Sequence, residues 1–109
     1  MELIKLEKKN NIYVVTLNDP ESGNAINTDS LCAHRQILNE LEMVSEKSAV
    51  VVTSSDPKSW CVGLDFDWIV DQSEGEFESI LRELEEVFGR WALLPLPTVG
   101  CLTGHCMAG

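Results

Sequence analysis

Ala49-Val50-Val51-Val52-Thr53 is the most apolar run in the chain. Its β-branched residues stand at both odd and even positions, so neither side of the run is polar. That pattern reads as a buried strand needing cover on both faces, as in a largely parallel sheet of an α/β fold. The polar segment 54–59 turns the chain and leads into Trp60-Cys61-Val62-Gly63-Leu64-Asp65-Phe66-Asp67. Gly63 marks a place where the backbone passes something closely or takes an unusual φ. A strand, a turn and a glycine bend are where open α/β sheets hold ligands, at the carboxyl ends of their strands. From residue chemistry alone, an ordinary apolar loop accounts for the stretch equally well.

The rest of the chain supplies elements to pack on that strand. Leu3 to Lys8 alternates weakly, Lys9-Asn10-Asn11 punctuates, and Ile12 to Leu17 has strong strand propensity, which predicts an opening hairpin. Residues 18–24 are nearly all turn formers and form a loop. Asn27 or Thr28 caps a helix running to about Val44, with Leu31, His34, Leu38 and Leu41 along one side. His34 has no carboxylate or serine at a telling spacing and reads as a structural or partly exposed histidine. Ser73 with Glu76 forms a capping box, and Phe77, Ile80, Leu81, Leu84, Val87, Phe88 and Trp91 recur with the helical period. Leu94-Pro95-Leu96-Pro97 ends that helix before a short apolar strand, Thr98 to Leu102. Glycine spacing from Gly104 to Gly109 would lead into a helix with free first amides, an arrangement able to bind an anion. The chain stops there, so it is expected to be a cut piece of one domain, residues 1–109 forming its N-terminal part.

Charge and cysteine usage narrow the function classes. The 109 residues carry 18 acidic against 8 basic side chains, a formal charge of -10. Such a surface repels a phosphate backbone, and no basic cluster offsets it, so a nucleic-acid partner is not expected. No apolar stretch approaches membrane-spanning length and the N-terminus has no signal-like run, which predicts a cytoplasmic protein without a membrane partner. Cys32, Cys61, Cys101 and Cys106 lack paired metal-site spacing, so no metal is expected. Each sits in apolar company, which predicts four buried thiols in a reducing compartment.

Three stretches together resemble one family. Trp60-Cys61-Val62-Gly63-Leu64-Asp65-Phe66 is similar to the phenylalanine-serine-alanine-glycine-x-aspartate-leucine segment of the enoyl-CoA hydratase/isomerase (crotonase) family. Pro95-x-Pro97-Thr98-Val99 through Gly104-His105-Cys106-Met107-Ala108-Gly109 resembles that family's proline-led strand and its glycine-rich sequel. Val15-Thr16-Leu17-Asn18-x-Pro20 and Asn24-Ala25 match its opening signature.

The resemblance implies an α/β fold, a spiral of ββα units, cut after its second oxyanion-hole segment. It implies an acyl-CoA thioester as partner and homotrimers or hexamers as the assembly. No separate cofactor is implied, because coenzyme A is part of the substrate. By position, the backbone amides of Leu64 and Gly109 become the two donors of an oxyanion hole. The same carry-over puts Val62, Asp65, Phe66 and Asp67 around the pantetheine and thioester, with Asn24 and Ala25 farther along the groove. Two fixed N–H donors suit an enolate forming next to a thioester carbonyl, whatever side chains those residues carry. Trp60 and Cys61-Val62 depart from the family's smaller residues and imply a repacked wall. His105 and Cys106 occupy lining or packing positions in this scheme, not those of a nucleophile pair.

The family's catalytic glutamates fall past residue 109, so no acid in the chain takes their role by position. The wording of Gly63-Leu64-Asp65 and Gly104-His105 leans towards an isomerase over a hydratase. A non-catalytic member that binds an acyl-CoA or a sister subunit is the alternative class, and a thioester hydrolase or dehalogenase would share the same hole.

Overall fold

The computed structural model describes residues 2–108. The chain opens with β1 (Ile4–Lys9) and β2 (Ile12–Leu17), an antiparallel hairpin in which Ile4 faces Leu17 and Lys9 faces Ile12. Asn10 makes the reversal at φ 56°, a left-handed conformation that asparagine tolerates better than most residues. Helix α1 (Thr28–Glu42) follows, started by Asn27, whose side chain accepts from the Ser30 amide while the Ser30 hydroxyl accepts from the Asn27 amide. The expected buried strand is β3 (Ala49–Ser54), parallel to β2 with Val15 opposite Val52. Next come β4 (Ser59–Cys61), the short helix α2 (Phe66–Ile69) and α3 (Glu74–Ala92). The capping box read from Ser73 and Glu76 is present on α3. The chain closes with β5 (Thr98–Gly100), parallel to β3, and β6 (His105–Cys106).

The order is therefore ββα, ββα, ββ, with α2 interposed in the second unit. Strands β1-β2-β3-β5 make an open four-stranded sheet, and β4 pairs with β6 in a separate two-stranded one. This is the ββα spiral of the crotonase fold. The second and third units each send their first strand to the large sheet and their second to the small one.

The core lies between one face of the large sheet and the helices. Val15 and Val50 from the sheet meet Leu31, Leu38 and Leu41 of α1 and Val87 of α3, all fully buried. The opposite face carries the registered row Val14, Val51 and Val99, and no helix among the described residues covers it. Val99 is 57% exposed. The run that reads as covered on both faces is thus covered on one.

The cysteine expectation needs correction. Only Cys61 is buried, whereas Cys32, Cys101 and Cys106 are exposed. Cys32 follows the fully buried Leu31, and one helical step turns it away from the α1 stripe. Cys101 and Cys106 lie at the uncovered end of the two sheets, where apolar neighbours in sequence bring no burial.

Candidate active site

The bend at Gly63 is held from two sides. On one side the segment 23–26 runs beside it as a parallel ladder. The Val62 amide donates to the Gly23 carbonyl at 3.1 Å, the Ile26 amide to the Gly63 carbonyl at 2.8 Å and the Asp65 amide to the Ile26 carbonyl at 2.9 Å. These bonds make Ile26 and Leu64 bridge partners. Leu64's own N–H therefore points away from Ile26. Among the described residues that amide has no hydrogen-bond acceptor.

On the other side lies the glycine-rich C-terminal stretch. The His105 amide donates to the Lys58 carbonyl at 2.9 Å and the Met107 amide to the Cys61 carbonyl at 3.0 Å. That seating brings Met107 and Ala108 over Gly63, which takes φ +90°. A Cβ on Gly63 would stand 2.5 Å from the Ala108 carbonyl oxygen and 2.7 Å from that of Met107. Only glycine meets both demands. Ala108 itself has φ 46°. Gly109, named from the sequence as the second amide donor, lies outside the described residues.

The other sequence-named residues divide into wall and rim. Asn24, 8% exposed and at φ 60°, uses its whole amide internally. Its Oδ1 accepts from the Asp19 amide at 2.8 Å, and its Nδ2 donates to Ser54 Oγ at 2.8 Å and to the Trp60 carbonyl at 2.9 Å. It clamps the loop, the end of β3 and β4 together. Ala25, 5% exposed, donates its amide to Ser22 Oγ at 3.1 Å. Val62 is half-buried, with its Cγ1 against Gly23. Asp65 caps α2: its Oδ1 accepts from the Trp68 amide at 3.2 Å and its Oδ2 from Asn27 Nδ2 at 3.4 Å. Phe66, 69% exposed, and the exposed Asp67 form the rim.

Behind this segment an apolar cavity of about 260 Å³ opens between the sheet and the two long helices, lined by Leu17, Ile26, Val52, Trp60, Phe88 and Trp91. Trp60 closes one wall by donating its indole N–H to the Val52 carbonyl at 3.0 Å. His34 reaches the same cavity, with Nδ1 accepting from Trp91 Nε1 at 3.1 Å. Burial lowers its pKa to about 4, so the ring is neutral near neutral pH. This is the structural histidine the sequence suggested. Among the described residues no group of three His, Cys, Asp or Glu side chains could hold a metal ion. No helix among them is long and apolar enough to cross a membrane.

Two features escaped the sequence. The small β4–β6 sheet involves strands of three and two residues, too short to show a period. The Asn24 clamp was visible only as an Asn-Ala pair in a polar loop. Its signal is a left-handed asparagine next to glycine, Gly23-Asn24, ahead of the apolar Ala25-Ile26.

The enoyl-CoA hydratase/isomerase family model matches residues 7–109. The chain belongs to the enoyl-CoA hydratase/isomerase family. A short-chain-enoyl-CoA hydratase of Clostridium acetobutylicum is 34% identical over 113 aligned positions, covering all of this chain and 42% of that protein. An enoyl-CoA isomerase/hydratase of Penicillium crustosum is 30% identical over 102 positions, which take in 90% of this chain and 12% of that one. Among solved structures, Pseudomonas aeruginosa DspI superposes with a TM-score of 0.88 at 24% identity, over 98% of this chain and 40% of that chain. An enoyl-CoA hydratase from Bacillus anthracis superposes with a TM-score of 0.87 at 17% identity, over 94% and 40% respectively. These two likenesses establish the fold. The chain spans less than half the length of each of these relatives.

Proposed function

We propose that the chain binds an acyl-CoA thioester and contributes to enolate-stabilising chemistry, as part of an enoyl-CoA isomerase or hydratase. The observation that carries this reading is the Leu64 amide: held by the Ile26 bridge, turned away from it and, among the described residues, without an acceptor. A rigid donor of that kind lowers the barrier to an enolate because it needs no reorganisation as charge develops on the thioester oxygen. The Gly109 amide is the second donor in this reading. Val62, Asp65, Phe66 and Asp67 surround the pantetheine and thioester, and Asn24 and Ala25 stiffen the groove from behind. Coenzyme A arrives as part of the substrate, with no separate cofactor. A cytoplasmic homotrimer or hexamer is the assembly this reading expects.

The chain by itself is inactive in this reading. General acid–base catalysis needs a carboxyl group within hydrogen-bond reach of the proton it moves. Asp65, the acid beside Leu64, spends both its oxygens on Trp68 and Asn27. That commitment also favours the second reading, a non-catalytic acyl-CoA-binding or subunit-interaction protein.

Calorimetric titration of the chain with crotonyl-CoA and with free coenzyme A tests the proposal. Crotonyl-CoA is expected to bind more tightly, and Leu64→Pro, which deletes the amide proton, to weaken it by about tenfold, the worth of one hydrogen bond. Equal affinity for the thioester and free coenzyme A, unaltered by Leu64→Pro, would remove the thioester site.

A further inference from the structure

Cys61 ends β4 and Cys106 ends β6, and the two are register partners in the small parallel sheet. The pairing moves from Ser59–His105 to Cys61–Cys106, two steps along β4 against one along β6. An irregularity of that kind re-aims side chains, and here it sets one cysteine opposite the other. Paired strands run about 4.7–4.9 Å apart, within the Cα separation of about 4.4–6.8 Å that a disulfide spans. Cys61 is 7% exposed and its Sγ donates to the Asn24 carbonyl at 3.4 Å, while Cys106 is exposed.

We propose that Cys61 and Cys106 form an intramolecular disulfide, a redox modification site that bridges β4, which leads into the Gly63 bend, and β6, which leads into the Met107-Ala108 stretch over it. The inference rests on the β4–β6 register and stands whether or not the chain binds acyl-CoA.

The chemistry assigns the two sulfurs different parts. The oxidant is a hydroperoxide. The accessible Cys106, as thiolate, attacks a peroxide oxygen; an S–O bond forms, the O–O bond breaks, and hydroxide leaves to take up the thiol's proton as water. Cys61 then attacks the Cys106 sulfenic sulfur; an S–S bond forms, the S–O bond breaks, and a second water leaves. Two thiols are oxidised and one hydrogen peroxide is reduced to two waters. Burial raises the Cys61 thiol, a backbone hydrogen bond at Gly63 partly offsets this, and the neighbouring Cys106 raises it further. A buried thiol with a raised pKa is a poor first target and, once its partner is activated, a well-placed resolving group.

Closure has a structural cost at the site. Cys61 gives up its bond to Asn24, and the Met107 amide bond to the Cys61 carbonyl must accommodate the new link. Both changes fall within two residues of Gly63.

The chain is treated with hydrogen peroxide, its remaining thiols are alkylated, and the linkage is mapped by tandem mass spectrometry. Cys101 and Cys106 share the peptide that follows Arg90, so fragmentation between them is read directly. The expected product is a monomer lighter by two hydrogens, linked Cys61 to Cys106, with Cys32 and Cys101 alkylated. In Cys61→Ser, Cys106 should accumulate as a sulfenic acid that dimedone traps. In Cys106→Ser, Cys61 should stay reduced. A Cys101–Cys106 link, an intermolecular link, or Cys106 oxidised beyond the sulfenic acid while Cys61 remains alkylatable would overturn the proposal. If Cys61→Ser does not fold, the wild-type linkage map alone decides it.

Discussion

The indole N–H of Trp91 donates to His34 Nδ1 across 3.1 Å, with the two rings nearly perpendicular at 84°. Because tryptophan can only donate, this bond fixes the histidine tautomer: Nδ1 must be the unprotonated nitrogen. Protonating the ring removes the acceptor that joins α1 to α3.

Stability should therefore depend on pH through His34. Its value is about 4 in the folded chain against 6.5 ordinarily, so the unfolded chain binds more protons between those limits. The contribution is fully present above 6.5 and is lost as pH falls towards 4, amounting to up to about 3 kcal/mol. Glu46, held down to about 2 chiefly by the hydrogen bond from Lys8, adds its own loss only below its ordinary 4.5. Urea midpoints between pH 7 and 4.5 should fall for the wild type and stay flat for His34→Gln. Parallel slopes in the two proteins would exclude His34 as the source.

Gly63→Ala should destabilise the fold by at least about 1–3 kcal/mol, the usual cost of a strained backbone, before the clash with Ala108 is counted. Gly89 offers the control. Its added methyl meets nothing within 4 Å, and it lies inside α3, so Gly89→Ala should stabilise by about 0.5–1 kcal/mol. Chemical denaturation of the two variants checks both signs.

The 109-residue chain should not turn over crotonyl-CoA or a 3-enoyl-CoA in a spectrophotometric assay. Turnover that co-purifies with the folded chain, and falls by a factor of about 100 in Leu64→Pro, would overturn the inactivity while supporting the amide's role. Circular dichroism of that variant must first match the wild type, because proline also restricts Gly63 before it.

The chain should self-associate. β5 is an exposed edge strand, and the row of Val14, Val51 and Val99 leaves an apolar stripe on the uncovered face. Light scattering across a dilution series should show a mass that falls on dilution, and Val99→Lys should lower it at every concentration. A sharp monomer mass with well-protected amides in β3 and β5 would show that the pair is stable uncovered.

The long elements were legible in the sequence because each carries its own period or cap: Ser73 and Glu76 announce α3, and the valines of β3 announce a strand. The Gly63 bend was legible as a close approach or an unusual φ, but its partners were not, since the carbonyls at 107 and 108 lie far along the chain. The same limit hid the Asn24 clamp and the Cys61–Cys106 pairing. Both depend on register between strands too short to carry a pattern. Burial of the cysteines failed for a related reason: apolar neighbours in sequence predict burial only where another layer arrives to cover them.

The division of the ββα units between two sheets also sets an order of assembly. The opening hairpin pairs residues close in sequence, β3 finds its partner β2 already behind it, and a chain leaves the ribosome N-terminus first. β4 has its strand partner only when β6 follows, and Gly63 meets its opposing carbonyls only at Met107 and Ala108. A nascent chain paused before that point would carry a formed scaffold and a slack bend. The part of the molecule with the tightest geometry is thus among the last to acquire it.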